Sequence, residues 1–139
     1  MRTGSWRVLA LPIAVLALAG CGLDPLGSSD RVSLTVSGGI AGVQRGIDVA
    51  SDGEVRITSR KGTRSARALS DAERGTLDSL LDEVDFDELP DRVVSDRARD
   101  RFEYRLEHGG HTLVTDKSED LGAADDLIEH LQDCLNDRL

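Results

Sequence analysis

Two imidazoles flank a glycine pair in His108-Gly109-Gly110-His111, a spacing that can bring nitrogen ligands together for zinc. No cysteine adjoins them, and no particular carboxylate is positioned by sequence to complete a set. The segment therefore reads as the polar tip of a hairpin, and no metal is expected. Hydrolysis by a serine nucleophile needs a strained turn of the G-x-S-x-G kind. The chain has no such turn, and no phosphate-cradling glycine motif before a helix. Cys134 falls in helical phase with Leu127, Ile128 and Leu131, which places its sulfur among core side chains as a small hydrophobe. The chain thus reads as a non-enzyme, with no catalytic residue and no cofactor.

Cys21 is the exception. Arg2 and Arg7 give the chain a basic start, Val8 to Ala19 form an apolar run, and Leu18-Ala19-Gly20-Cys21 follows at once. Charge, apolar core and small residues in that order make a signal peptide. The run is short of the roughly 20 residues that cross a bilayer. The tetrapeptide resembles the lipobox of bacterial lipoproteins, which implies thioether acylation of Cys21 and cleavage before it. Residues 1–20 are then signal, 21–31 a lipidated flexible tether rich in Gly, Pro and Ser, and 32–139 a single domain. Each buried methylene of the lipid contributes about 0.8 kcal/mol of membrane affinity. The expected location is the extracytoplasmic face of the cell membrane, held through lipid on Cys21. With Cys21 acylated, Cys134 has no intramolecular disulfide partner.

Composition narrows the partners. The whole chain carries a formal charge of −9, and loss of Arg2 and Arg7 makes the remainder more acidic. A phosphate backbone requires a basic stripe, so nucleic acid is not an expected partner, and anionic headgroups would repel the domain. Once Trp6 leaves with the signal, the aromatics are Phe86, Phe102 and Tyr104, too few for a base-stacking platform.

The elements follow from periodicity. Val32, Leu34 and Val36 alternate with polar residues as a strand, then Ser37 to Gly42 form a glycine-rich corner. Ile47 and Val49, then Val55 and Ile57, alternate on either side of Asp52-Gly53, the signal for a two-residue hairpin. Lys61-Gly62 turns the chain into an edge strand near Thr63 to Leu69. Ser70 and Glu73 have capping-box spacing, and Leu77, Leu80, Leu81 and Val84 make the apolar stripe of a helix that stops before Pro90. Phe86 and Leu89 are expected to plug its end into the core, and Asp91 to Asp100 reads as loop. Phe102 to Leu106 and Thr112 to Thr115 read as a second hairpin, and Leu121 to Leu139 as a helix with an acidic back. The order predicts an α+β fold: a mainly antiparallel sheet of about four to six strands with two helices on one face.

With these pieces placed, residues 31–139 resemble the emfourin family, small inhibitors of thermolysin-like (M4) zinc metalloproteases. The resemblance rests on Ser37-Gly38-Gly39-Ile40-Ala41-Gly42, the Leu77/Leu81 helix, Phe86 to Pro90, Asp100-x-Phe102-x-Tyr104-x-Leu106 and the closing leucine-rich helix. It implies an inhibitor that docks a rigid loop into a protease cleft and excludes substrate, with the M4 enzyme as partner. An acidic inhibitor can offer a carboxylate to a catalytic zinc and be steered by a basic cleft. The residues themselves single out two contact segments. One is the glycine corner, Gly38, Gly39 and Ile40; the other is a basic island, Arg60, Lys61 and Thr63 with Gly62 and Arg64. Ile40 can equally plug the core at a sheet corner. The alternative function is a non-catalytic envelope lipoprotein that binds another protein or a cell-wall component.

Overall fold

The computed structural model describes residues 30–97 and 100–139. The expected signal peptide, Cys21 and nearly all of the tether lie outside them. The elements run β1 (Val32–Gly38), β2 (Val43–Val49), β3 (Val55–Ser59), β4 (Gly62–Ala66), α1 (Asp71–Glu83), β5 (Arg92–Val93), β6 (Phe102–His108), β7 (His111–Thr115) and α2 (Ala123–Asn136). They form one sheet in the order β4-β3-β2-β1-β6-β7-β5, antiparallel except for the β5–β7 pair. The α+β expectation holds, with seven strands in place of four to six.

Alternation decides which face is buried. Val32, Leu34 and Val36 of β1 stand opposite Val49, Ile47 and Arg45 of β2 and opposite His108, Leu106 and Tyr104 of β6. Residues opposite one another point to the same side, so these define the inner face. Its apolar members are buried: Val32, Leu34, Ile47, Val49, Val55, Ile57 and Leu106 are each at most 2% exposed. α2 lies on β1 and β2, and α1 packs against α2. The anticipated α2 stripe of Ala124, Leu127, Ile128, Leu131, Cys134 and Leu135 is buried throughout. Leu77 of α1 and Val84, which caps its C-terminus, join the same core, with Phe86 and Leu89 partly buried against it. The outer face carries Ser33, Thr35, Asp48, Arg56, Arg105 and Glu107, and among the described residues no helix covers it.

Ser70 caps α1 as expected: its hydroxyl accepts from the Glu73 amide while the Glu73 carboxylate accepts from the Ser70 amide. That carboxylate also holds Arg138 at 2.9 Å and Arg67 at 3.1 Å. Arg138, almost wholly buried, donates in addition to the carbonyls of Arg67 and Cys134. One acidic side chain thereby ties the start of α1 to the end of α2. The Arg138 hydrogen bond, ahead of those from Arg67 and Ser70, holds its pKa well below the usual carboxylate range.

Two connections differ from expectation. Asp52-Gly53 does not make a two-residue turn. Ala50 and Glu54 close the ladder, the Ala50 amide donating to the Glu54 carbonyl at 3.0 Å, and Ser51-Asp52-Gly53 bridge them with Gly53 at φ 86°. A type I turn followed by a left-handed residue has this form. The charged stretch from Asp91 is not all loop either: Arg92 and Val93 pair with Val114 and Thr115 as β5. The buried Asp116 carboxylate pins the chain just beyond β5 by accepting from the Ser95 amide, and it accepts from the Ser118 amide as well. The Ser118 side chain, ahead of the Ser95 and Ser118 amides, lowers the Asp116 pKa.

Candidate functional site

Both predicted contact segments sit at one end of the sheet, the end where β1 stops. The β1–β2 connection spans residues 39–42 and the β3–β4 connection is Arg60-Lys61. The Arg60 guanidinium joins them, with one nitrogen donating to the carbonyls of Ala41 and of Gly42, the latter at 2.7 Å. Thus Gly38, Gly39, Ile40, Arg60 and Lys61 belong to one surface. Thr63 is displaced from it. It stands opposite Thr58 on the outer face of the hairpin, with the two hydroxyls 2.9 Å apart.

The glycine corner needs its glycines. Gly38 has φ 106°, and a Cβ there would lie 2.7 Å from the Arg101 carbonyl oxygen, too close for any side chain. Gly39 has φ 72°, and its missing side chain leaves room for the Phe102 ring, 3.2 Å from where a Cβ would be. Ile40 follows at the apex and is 93% exposed. It is not a core plug: the corner carries it away from both faces. Phe102, 39% exposed, backs the corner from β6. Periodicity assigned Phe102 to a strand and gave no sign that this strand ends beside the corner.

On the helix side, the inner face continues past the helices. Along β2 the inward positions run Val49, Ile47, Arg45, Val43, and only the first two are buried. Along β3 and β4 the corresponding positions reach Ser59, Arg64 and Gly62. The result is a groove of about 490 Å³ bounded by Val43, Arg45, Ile57, Lys61, Arg64 and the half-exposed Leu139. Arg64 reaches under it to the Arg138 carbonyl at 2.6 Å. Arg45 and Leu139 escaped the sequence reading, although an arginine in the apolar phase of β2 was a visible sign that burial stops there.

The electrostatics of this end oppose those of the chain. Residues 36–47 and 55–70 contain no Asp or Glu. Ion pairs among the described residues engage Arg67, Arg92, Arg105, His111 and Arg138. None engages Arg45, Arg60, Lys61 or Arg64. Neither loop therefore carries a carboxylate of its own.

The remaining sequence candidates lie elsewhere. His108 and His111 face each other across the Gly109-Gly110 turn, at the opposite end of the sheet. The Phe86 ring lies 5.1 Å from His108 and 6.1 Å from His111, and His111 approaches Asp87 at 3.4 Å. Among the described residues no three His, Cys, Asp or Glu side chains gather as a metal site. Cys134 is buried, with its sulfur 3.8 Å from His130 Nε2, and burial pushes the thiol pKa up. A raised pKa keeps it protonated and a poor nucleophile. No helix among the described residues is long and apolar enough to cross a membrane. No protein-family model, curated protein or solved structure matches the chain.

Proposed function

We propose that the chain is a lipid-anchored, extracytoplasmic inhibitor of a thermolysin-like metalloprotease. In this reading it is an emfourin-like protein that presents the end of its sheet to the enzyme's cleft. The observation that carries the reading is Ile40: a large aliphatic side chain, 93% exposed, at the apex of a corner braced by Phe102 and Arg60. A pre-formed apolar tip loses little conformational entropy when a pocket closes over it, and such anchors dominate binding energy. Occlusion of this kind needs shape and no catalytic group. The cations flanking the tip fit an acidic rim around the cleft, in place of the basic cleft that the overall charge favoured.

The test is a titration of residues 31–139 into thermolysin with a fluorogenic peptide substrate, repeated with Ile40→Asp. Saturable inhibition that Ile40→Asp weakens by about tenfold or more is expected, since hot-spot losses exceed about 1.4 kcal/mol. Absence of inhibition against several M4 enzymes would sink the proposal and favour a non-catalytic lipoprotein that binds another envelope protein or a wall component.

A further inference from the structure

We infer that the groove beside β4 is a docking site for an extended acidic segment of a partner protein, which adds to the sheet as an eighth strand. The inference goes beyond cleft occlusion and stands whether or not the partner is a protease.

The edge comes first. Among the described residues β4 is the last strand on its side of the sheet, paired with β3 alone, and Gly62 to Ser65 are exposed. In an antiparallel ladder, alternate residues turn their amide and carbonyl groups away from the partner strand. The outer side of β4 therefore offers unpaired main-chain groups, the template for strand addition. No backbone hydrogen bond from another part of the described chain takes them up.

Charge then selects the occupant. Arg64 projects from β4 onto the groove side, and Arg45 and Lys61 border the same groove. None has a carboxylate partner among the described residues, although the chain holds 26 acidic residues against 17 basic ones. The Arg45 Nε is buried with no hydrogen-bond partner, a deficit that an incoming carboxylate near the guanidinium would reduce. A strand added to β4 places alternate side chains on the groove side. Aspartate or glutamate at those positions would meet the cations, and apolar residues among them the surface of Val43, Ile57 and Leu139. The same charges reject competitors: a second copy's β4 would set arginine against arginine, and basic or neutral segments gain nothing. An edge guarded by cations is closed to most strands and open to an acidic one.

The test uses the full chain in a neutral detergent with a fluorescein-labelled peptide of alternating Glu and Val, read by anisotropy. Hydrogen exchange of the β4 amides is followed in parallel. Saturable binding, slowed exchange at Thr63 to Ser65, and at least about tenfold weaker binding to the Arg45→Glu/Arg64→Glu variant are expected. The variant's fold is checked by circular dichroism. A peptide N-methylated at alternate residues keeps its charges but cannot pair with an edge, and it should bind the wild-type chain at least about tenfold more weakly than its unmethylated parent. Equal binding of the N-methylated peptide would overturn strand addition. Equal binding of a peptide of alternating Lys and Val, or of inorganic polyphosphate, would overturn acidic-segment recognition, and protection mapping away from β4 would overturn the site. Because no protease is present, failure here leaves the inhibitor reading untouched, and failure of thermolysin inhibition leaves this one untouched.

Discussion

At the end of the sheet where β1 begins, the inward row of Val32, Val49 and Val55 is buried beneath the helices, and His108 continues it under Phe86. Where β1 stops, the same strands leave the helices behind. Their last inward row is Gly38, Val43 and Phe102, the row before it holds Arg45 and Ser59, and Arg64 stands opposite Ile57 one row further back. One end holds the domain together, and the other leaves Ile40 exposed beyond the helices. The difference shows how burial can be concentrated at one end of a single set of strands: it lies under α2, so side chains at the tip contribute little to the core and can change at small cost to stability.

Substitutions at the two ends should divide accordingly. Leu131→Ala, at a fully buried position of α2, should cost about 2–5 kcal/mol in urea or guanidinium unfolding, with tip binding retained in whatever fraction stays folded. Glu73→Gln should cost about 1–3 kcal/mol by weakening the Arg138 clasp, with the exposed Arg67 pair contributing little. The sign of its pH dependence comes from the depressed Glu73 pKa. The stabilisation is fully present above the unfolded carboxylate value of about 4.3 and is lost as pH falls below it toward the folded value. Wild type and Glu73→Gln should therefore differ in unfolding free energy at pH 7 and converge as the pH is lowered through the acid range. An unchanged difference at low pH would show that the clasp is not electrostatic.

Gly38→Ala adds a Cβ 2.7 Å from the Arg101 carbonyl at φ 106°, and should cost about 1–3 kcal/mol. Faster hydrogen exchange should be confined to the corner and the start of β6. Ile40→Asp, at an exposed apex, should change stability by no more than about 0.5 kcal/mol while removing the apolar anchor. If it destabilised the domain as much as Leu131→Ala does, the division between the two ends would fail.

Local chemistry made much of this legible. The Ser70 capping box, the α2 stripe and the alternation in β1 depend on residues adjacent in sequence or one turn apart, and each formed where its pattern lies. What escaped depends on distant partners. β5 is two residues in a charged stretch, visible only once Val114 and Thr115 lie beside it. Arg138 gave no sign of being buried, since beyond the nearby Cys134 carbonyl its partners lie some 65 residues or more away in Glu73 and the Arg67 carbonyl. The glycine corner and the basic island were both legible as turns. That Arg60 would brace one against the other was not, because no local pattern encodes which two turns share an end of a sheet.

The position of β1 bears on how the chain is made. The first of the described strands lies inside the sheet, with β2 on one side and β6, some seventy residues later, on the other. Until β6 arrives, β1 has an open flank, and α2, which covers it, follows every strand of the sheet. Non-local closure of this kind is slow compared with local hairpin and helix formation, so the core stays unfinished until α2 has been synthesised.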